Sequence, residues 1–149
     1  MKVFLHVAVW VALATLAIGQ IFPGKGIQKG IKFPEYDRQT GKIRSMLSSA
    51  TAVQPQNGPI RLTGVRVETY SYDGGQRKVD LVVEAPHCFF DVEKRIANSP
   101  GAVNVYRTDR RVSLTGEGFA WNSESGLLVV SNKVRTVVLD EERENVECK

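Results

Sequence analysis

Short apolar runs separated by turn residues dominate the sequence, and this punctuation limits what the chain can fold into. Across residues 85–134 the runs are only a few residues long, and turns at 99–101, 108–110, 122–126 and 131–132 interrupt them. Amphipathic helices need apolar residues at every third or fourth position over ten or more residues, whereas short runs between regular turns are typical of antiparallel strands. We therefore predict an all-β domain of about eight to ten short strands.

The apolar alternation reverses its parity at two glycines. Before Gly64 the apolar residues share a face with Leu62, and after it they share a face with Val65. The same Leu-Thr-Gly tripeptide and the same reversal recur at 114–116. A reversal of parity at a glycine indicates a β-bulge or a bend from one sheet into another. The recurrence predicts a duplicated strand–bulge–strand unit.

The chain divides into four predicted segments. Residues 1–19 combine one basic residue with an uncharged apolar run, which predicts a signal peptide or a membrane anchor. Residues 20–35 are rich in glycine and lysine and predict a flexible linker. The β domain follows at 36–139, and the acidic residues 140–149 form a tail that is either a short helix or disordered. Small residues before Gln20 favour cleavage, which places the domain in the periplasm; an inner-membrane anchor is the alternative.

Composition excludes several classes of protein. Apolar residues make up 42% and charged residues 24% of the 149 residues, as in globular and not in disordered chains. The formal net charge is +4, and the basic residues are scattered among acidic ones. Without a basic groove interleaved with aromatic residues, nucleic-acid binding is disfavoured. The charge predicts a mild attraction to anionic partners such as phosphorylated lipid.

The residues that carry enzyme chemistry form no recognised arrangement. His87 and its neighbour Cys88 point to opposite faces of a strand, which argues against a nucleophilic pair. Glu84, Asp91 and Glu117 are the candidates for a carboxylate pair in glycoside hydrolysis. No nucleotide-binding, zinc-protease or hydrolase motif is present. We predict a protein that is not an enzyme and that uses no cofactor or metal.

The two cysteines, Cys88 and Cys148, are not in the spacing of a redox or zinc motif. An oxidising compartment would permit one disulfide between them. The alternative is that Cys88 is a small buried apolar side chain.

Five stretches together carry a resemblance to a known family. They are G-x-I-x-S-x-L-x-S-A at 41–50, I-x-L-x-G-V-x-V-E-x-Y at 60–70, E-A-x-x-x-x-F-D at 84–91, S-x-G-x-V-x-V at 99–105, and L-x-G-x-G-F-x-W…L-x-V-x-N-x-V at 114–134. In these residues the chain resembles the LptA/LptC/OstA-like domain of lipopolysaccharide transport.

The resemblance implies an open, twisted β-jelly-roll of the OstA-like type. It also implies a ligand, lipopolysaccharide, whose acyl chains lie inside while its sugars stay outside. Domains of this family join edge to edge with other jelly-roll transport proteins, by β-strand augmentation, into a bridge between the inner and outer membranes. Members that keep an N-terminal anchor dock on an inner-membrane transporter.

A set of apolar residues shares the parity expected of the interior face, and we predict that it lines the lipid site. A closed sandwich would show the same pattern, so ordinary core is the alternative for each member. The set is Leu62, Val65, Val67, Leu81, Val83, Phe90, Val103, Val105, Leu114, Phe119, Trp121, Leu128, Val130 and Val134.

Two other functions remain open at this point. A secreted β-sandwich that binds or cleaves carbohydrate would use Phe119 and Trp121 to stack on sugars, together with a pair of close carboxylates. A purely structural envelope protein would oligomerise through its strand edges and bind no lipid. An open apolar groove would distinguish the transport protein from both.

Overall fold

The computed structural model describes residues 26–139, which form one antiparallel sheet of seven strands. Each strand pairs with the next along the chain, so the order in the sheet is the order in the sequence and β1 and β7 are its edges. The predicted fold class is confirmed: the described residues form an open, twisted all-β sheet of the jelly-roll type. The strands are β1 (Ile27–Tyr36), β2 (Ile43–Val53), β3 (Ile60–Asp73), β4 (Gln76–Asp91), β5 (Ile96–Arg107), β6 (Val112–Asn122) and β7 (Leu128–Val138).

The strands are fewer and longer than predicted. The predicted turns at 99–101 and 131–132 are wrong, because they lie inside β5 and β7, and Pro86 lies inside β4. Strand pairing continues past them, with register shifts between Glu84 and Phe89 and between Ser99 and Ala102. Proline removes one donor from the ladder, and a local irregularity absorbs that loss without ending the strand.

The predicted linker at 20–35 is wrong over most of its length, because β1 occupies Ile27–Tyr36 and pairs along β2. The glycine and the lysines of β1 obscure the alternation of inward and outward residues, in which Ile31 and Phe33 pack against the core. Gly30 lies inside this strand with a φ of 64°. The predicted leader at 1–19 and the predicted tail at 140–149 lie outside the described residues.

The inward-facing parity reverses at the same level in β2, β3 and β4. In β3 the buried residues change from Leu62 to Val65, with Thr63 and Gly64 both exposed between them. The pairing of β3 with both neighbours keeps its register through this point, so the feature is a bend shared by adjacent strands. At Gly116, by contrast, the β6–β7 register shifts, which is a β-bulge. The two Leu-Thr-Gly copies therefore lie at the same level of the sheet, the first at a bend and the second at a β-bulge.

The bend divides the sheet into two halves that face each other. Leaf A is the half whose inner residues include Leu62, Phe90 and Trp121, and leaf B is the half whose inner residues include Val67 and Val83. Inward side chains of both leaves form one buried apolar cluster. A single sheet therefore supplies both layers that a β-sandwich core needs.

Gly64 is the residue that the bend requires in β3. Its φ is 57°, in the left-handed region that favours glycine. A Cβ at this position would lie 2.9 Å from the Cβ of Ala50 on β2. Conformation and space therefore both exclude a side chain here.

We expect Gly64→Ala to lower the free energy of unfolding by about 2–4 kcal/mol, because it adds a left-handed residue and a steric clash. Gly74→Ala is the matched control, since Gly74 has a φ of 55° and no atom within 4 Å of the added Cβ. The control should lose only about 1–2 kcal/mol. Urea denaturation measures both values, and equal losses would contradict a role for the Ala50 contact.

Candidate functional site

The inner face of the sheet receives the residues predicted to line the interior, but in three different environments. Leu62, Val65, Val67, Val83, Phe90, Val103, Val105, Phe119 and Trp121 are buried in the core cluster. Leu81, Leu114, Leu128 and Val130 are partly buried against it. Val134 is 49% exposed. A role of these residues in lipid binding stays a prediction.

One corner of the rolled sheet is closed by contacts between the leaves. Phe33 of β1, in leaf B, packs on Phe90 of β4, in leaf A, with ring centroids 4.9 Å apart. Next to them Arg95 donates to Glu35 across 2.6 Å, and only 16% of the Glu35 side chain is exposed. Arg44 donates to the backbone carbonyl of Ser123 at 2.7 Å. These contacts hold β1 and β2 over the turn that follows β6.

A cavity of about 180 Å³ lies between the leaves at this closed corner, lined in part by Phe33, Leu47, Phe90 and Trp121. The first two belong to leaf B and the last two to leaf A. Leu47, Phe90 and Trp121 are at most 5% exposed. The predicted lining residues Phe90 and Trp121 are therefore core residues that surround this cavity.

The part of leaf B that is formed by β6 and β7, by contrast, is open. Val112 lies opposite Val138, and Leu114 lies opposite Thr136, so these residues share the inner face. Val134 and Val138 have the same parity, and they are 49% and 66% exposed. The inner face therefore continues beyond the core as an apolar surface that no other described residue covers. We call Val112, Leu114, Val134 and Val138 the open inner corner.

A wide groove lies on the outer face of the described sheet, along the bend. It has a volume of about 640 Å³ and crosses β3 to β6. Small outward residues, Gly64, Pro86 and Ala102, form one side, and Arg66 and Glu84 stand on the other. The groove is a consequence of the bend, because two adjacent residues in each strand face outward there and those of this row are small.

A charged and aromatic cluster adjoins this groove. Arg66 donates to Glu68 at 2.8 Å and to the Tyr106 hydroxyl at 3.1 Å, and it also pairs with Glu84. The Arg66 hydrogen bond lowers the pKa of Glu68, and burial together with the Glu68 carboxylate raises the pKa of Tyr70 to about 12. The carboxylate of Glu68 is therefore held in its ionised form by a cation.

The three carboxylates considered for glycoside hydrolysis do not converge. Glu84 pairs with Arg66, Asp91 with Lys94 at 3.3 Å, and Glu117 with Lys133 at 2.9 Å. Backbone and side-chain hydrogen bonds from Lys94 lower the pKa of Asp91. A glycosidase needs one carboxyl group with a raised pKa beside an ionised partner. Each of these three is instead in contact with a cation.

His87 and Cys88 lie on opposite faces of β4, as predicted from their adjacency. His87 is exposed, whereas Cys88 is 1% exposed and belongs to the core cluster. Burial raises the pKa of the Cys88 thiol to about 12, which keeps it protonated and unreactive at neutral pH. Among residues 26–139 no three His, Cys, Asp or Glu side chains are grouped so as to hold a metal. The predicted disulfide partner, Cys148, lies outside the described residues.

Sequence reasoning missed part of the interior and the asymmetry of its two corners. Phe33 and Leu47 were not in the predicted set, although both help to close the packed corner. The alternation in 31–33 could have indicated β1, but the surrounding glycine and lysine residues outweighed it. Nothing in the local sequence separates Val130, which is partly buried, from the exposed Val134.

No family model and no curated protein matches the sequence. Among solved structures, the chain is similar to LptH, the LptA homologous periplasmic component of the lipopolysaccharide transport device from Pseudomonas aeruginosa. That match has 12% identity and a TM-score of 0.46, and it covers 77% of this chain and 94% of LptH. A DUF3836 family protein from Bacteroides vulgatus matches with 15% identity and a TM-score of 0.27, covering 76% of this chain and all of that one. Likenesses this distant assign no function to this chain.

The buried thiol gives a prediction about pH. Native Cys88 titrates at about 12 and its ordinary pKa is 9.0, so the unfolded chain loses this proton first as the pH rises. We expect the Cys88 contribution to stability to be complete below pH 9 and to disappear progressively above it. Urea denaturation from pH 8 to 11, compared with Cys88→Ala, measures the contribution. An identical pH slope in both proteins would contradict the buried, protonated thiol.

Proposed function

We propose that this chain is a periplasmic lipopolysaccharide-binding protein of transport or assembly, in which the open inner corner takes up acyl chains. The observation that carries the proposal is the apolar inner face that continues past the core to Val134 and Val138, 49% and 66% exposed. A soluble domain rarely leaves such a surface uncovered unless it binds something. The LptA/LptC/OstA-like motifs at 60–70 and 114–134 support the same function.

The chemistry of this corner suits a lipid. Each methylene buried contributes about 0.8 kcal/mol, so one acyl chain of about 12 carbons supplies roughly 10 kcal/mol before ordering costs. Arg135 follows Val134 in β7 and lies opposite Thr115 on the outer face, whereas Lys133 pairs with Glu117 at 2.9 Å. A cation at the margin of an apolar surface fits an amphiphile with an anionic headgroup, such as the phosphorylated end of lipopolysaccharide.

The β7 edge of the described sheet suits docking to other jelly-roll transport proteins. Edge strands present unpaired N–H and C=O groups, and a partner strand can continue the ladder by β-augmentation. The apolar leader at 1–19 supports a periplasmic location when cleaved. If it is retained, it would anchor the domain to the inner membrane and bring it to a transporter there.

A photoreactive amino acid placed at single positions of β7 tests the proposal in cells. Val138 faces the open inner corner, whereas its neighbour Val137, 40% exposed, faces outward opposite Ser113. We expect lipopolysaccharide adducts from positions 134 and 138 and none from position 137. Both neighbouring side chains are exposed, and they lie on opposite faces of the strand.

Equal adducts from positions 137 and 138 would show contact without a binding face and would contradict the proposal. The absence of adducts from both inner positions would also contradict it. A third probe at Ala102 reports on the outer groove. Sugar-containing adducts at Ala102 alone would favour the carbohydrate-binding alternative.

A further inference from the structure

The two edges of the sheet differ in how open they are to another strand. In β1, Pro34 lacks an N–H, Gly30 has a φ of 64°, and Lys29 and Lys32 add charge. Proline and irregular backbone are features that protect an edge from pairing. β7 also carries two cations and a bulge near its middle, but its last five residues, 134–138, follow the bulge and contain neither proline nor glycine. Within the described sheet, this segment is the edge better suited to pairing.

Backbone hydrogen bonds identify which residues of β7 face the free edge. The N–H of Leu139 donates to the carbonyl of Arg111, 2.8 Å away, and so points toward β6. Because backbone groups alternate along a strand, those of Val134, Thr136 and Val138 point away from β6. Lys133, with a φ of 49° at the β6–β7 bulge, ends this regular stretch. The free ladder is therefore 134–138.

We propose that β7 pairs antiparallel with β7 of a second copy of this chain, about a two-fold axis at Thr136. In this register Thr136 lies opposite its own counterpart, and Val134 lies opposite Val138. The backbone N–H and C=O groups of all three residues point away from β6, toward the second copy. Each pair therefore exchanges both hydrogen bonds. An isologous contact of this kind closes on itself as a dimer.

Charge selects this register over its neighbours. A shift of the pairing in one direction puts Arg135 opposite Arg135, and a larger shift puts Lys133 opposite Arg135. Like charges directly opposite are unfavourable. A shift in the other direction moves Val134 beyond the last described residue of the opposite strand. With the axis at Thr136, Arg135 lies opposite Val137 and Lys133 lies opposite Leu139, so no two cations face each other.

The same pairing covers exposed apolar surface. Val134, Val137, Val138 and Leu139 are 49%, 40%, 66% and 60% exposed in the single chain. The dimer places each of them beside a residue of the second copy. It also joins the two open inner corners into one continuous apolar face. The inference deepens the proposed function by naming the partner of the β7 edge, but the pairing itself requires no lipid.

Sedimentation equilibrium of the purified protein, in reducing buffer without lipopolysaccharide, tests the dimer. We expect a dimer for the unaltered chain. Thr136→Lys places two cations at the axis and should raise the dimer dissociation constant about tenfold or more. Val129→Lys is the matched control, since Val129 is 49% exposed in the same strand but lies outside 134–138. It should leave the constant unchanged.

Mixing Thr136→Lys with Thr136→Glu decides the register. Opposite charges then face each other at the axis, and we expect the mixture to form heterodimers while each variant alone stays monomeric. If residues 140–149 or the β1 edge of another copy occupied β7 instead, mixing would restore nothing, and the proposal would be wrong. A monomeric unaltered chain would also overturn it. Lipid adducts from position 134 in the monomeric Thr136→Lys variant would show that lipid binding is separate from pairing.

Discussion

The bend at Gly64 is the feature on which the rest of the structure depends, because it lets one sheet form both walls of its own core. A flat seven-stranded sheet would expose one apolar face to water. Reversal of the inward parity at one level folds that face onto itself, and Leu62 and Val65 then point into the same interior. The requirement is steric as well as conformational, since Ala50 leaves no room for a side chain at position 64.

Folding a twisted sheet in this way produces two unlike corners. The β1–β2 part of leaf B lies against leaf A, where Phe33 meets Phe90 and Glu35 meets Arg95. The β6–β7 part of leaf B is not covered by other described residues, and there Val134 and Val138 remain exposed. An apolar surface at the open end of a packed core, next to an unprotected strand edge, is the arrangement on which both the lipid site and the β7 pairing are proposed.

Much of the fold follows from local sequence. The turns at 108–110 and 122–126 and the parity reversal at Gly64 can be inferred from alternation and turn residues, whereas the predicted turns at 99–101 and 131–132 lie inside strands. β1 is concealed because glycine, proline and lysine surround the alternation of Ile31 and Phe33. Val82 illustrates a different limit: it faces away from the core, opposite Glu68 and Tyr106, yet is 2% exposed.

The candidate site is less accessible to sequence reasoning than the fold. The predicted interior residues have one pattern but three environments, and only the coiling of the whole sheet assigns Trp121 to the buried core and Val134 to an exposed surface. A local pattern specifies which face a residue occupies, whereas its burial depends on what lies across from that face. The distinction between core and lining is therefore a tertiary property.

The central claim is that the open inner corner binds acyl chains, and isothermal titration calorimetry with lipopolysaccharide tests it most directly. Titrations at several temperatures should give a negative heat-capacity change, because apolar surface is buried. The same lipopolysaccharide stripped of its acyl chains should not bind. Equal affinity for the intact and the deacylated molecules would contradict the account.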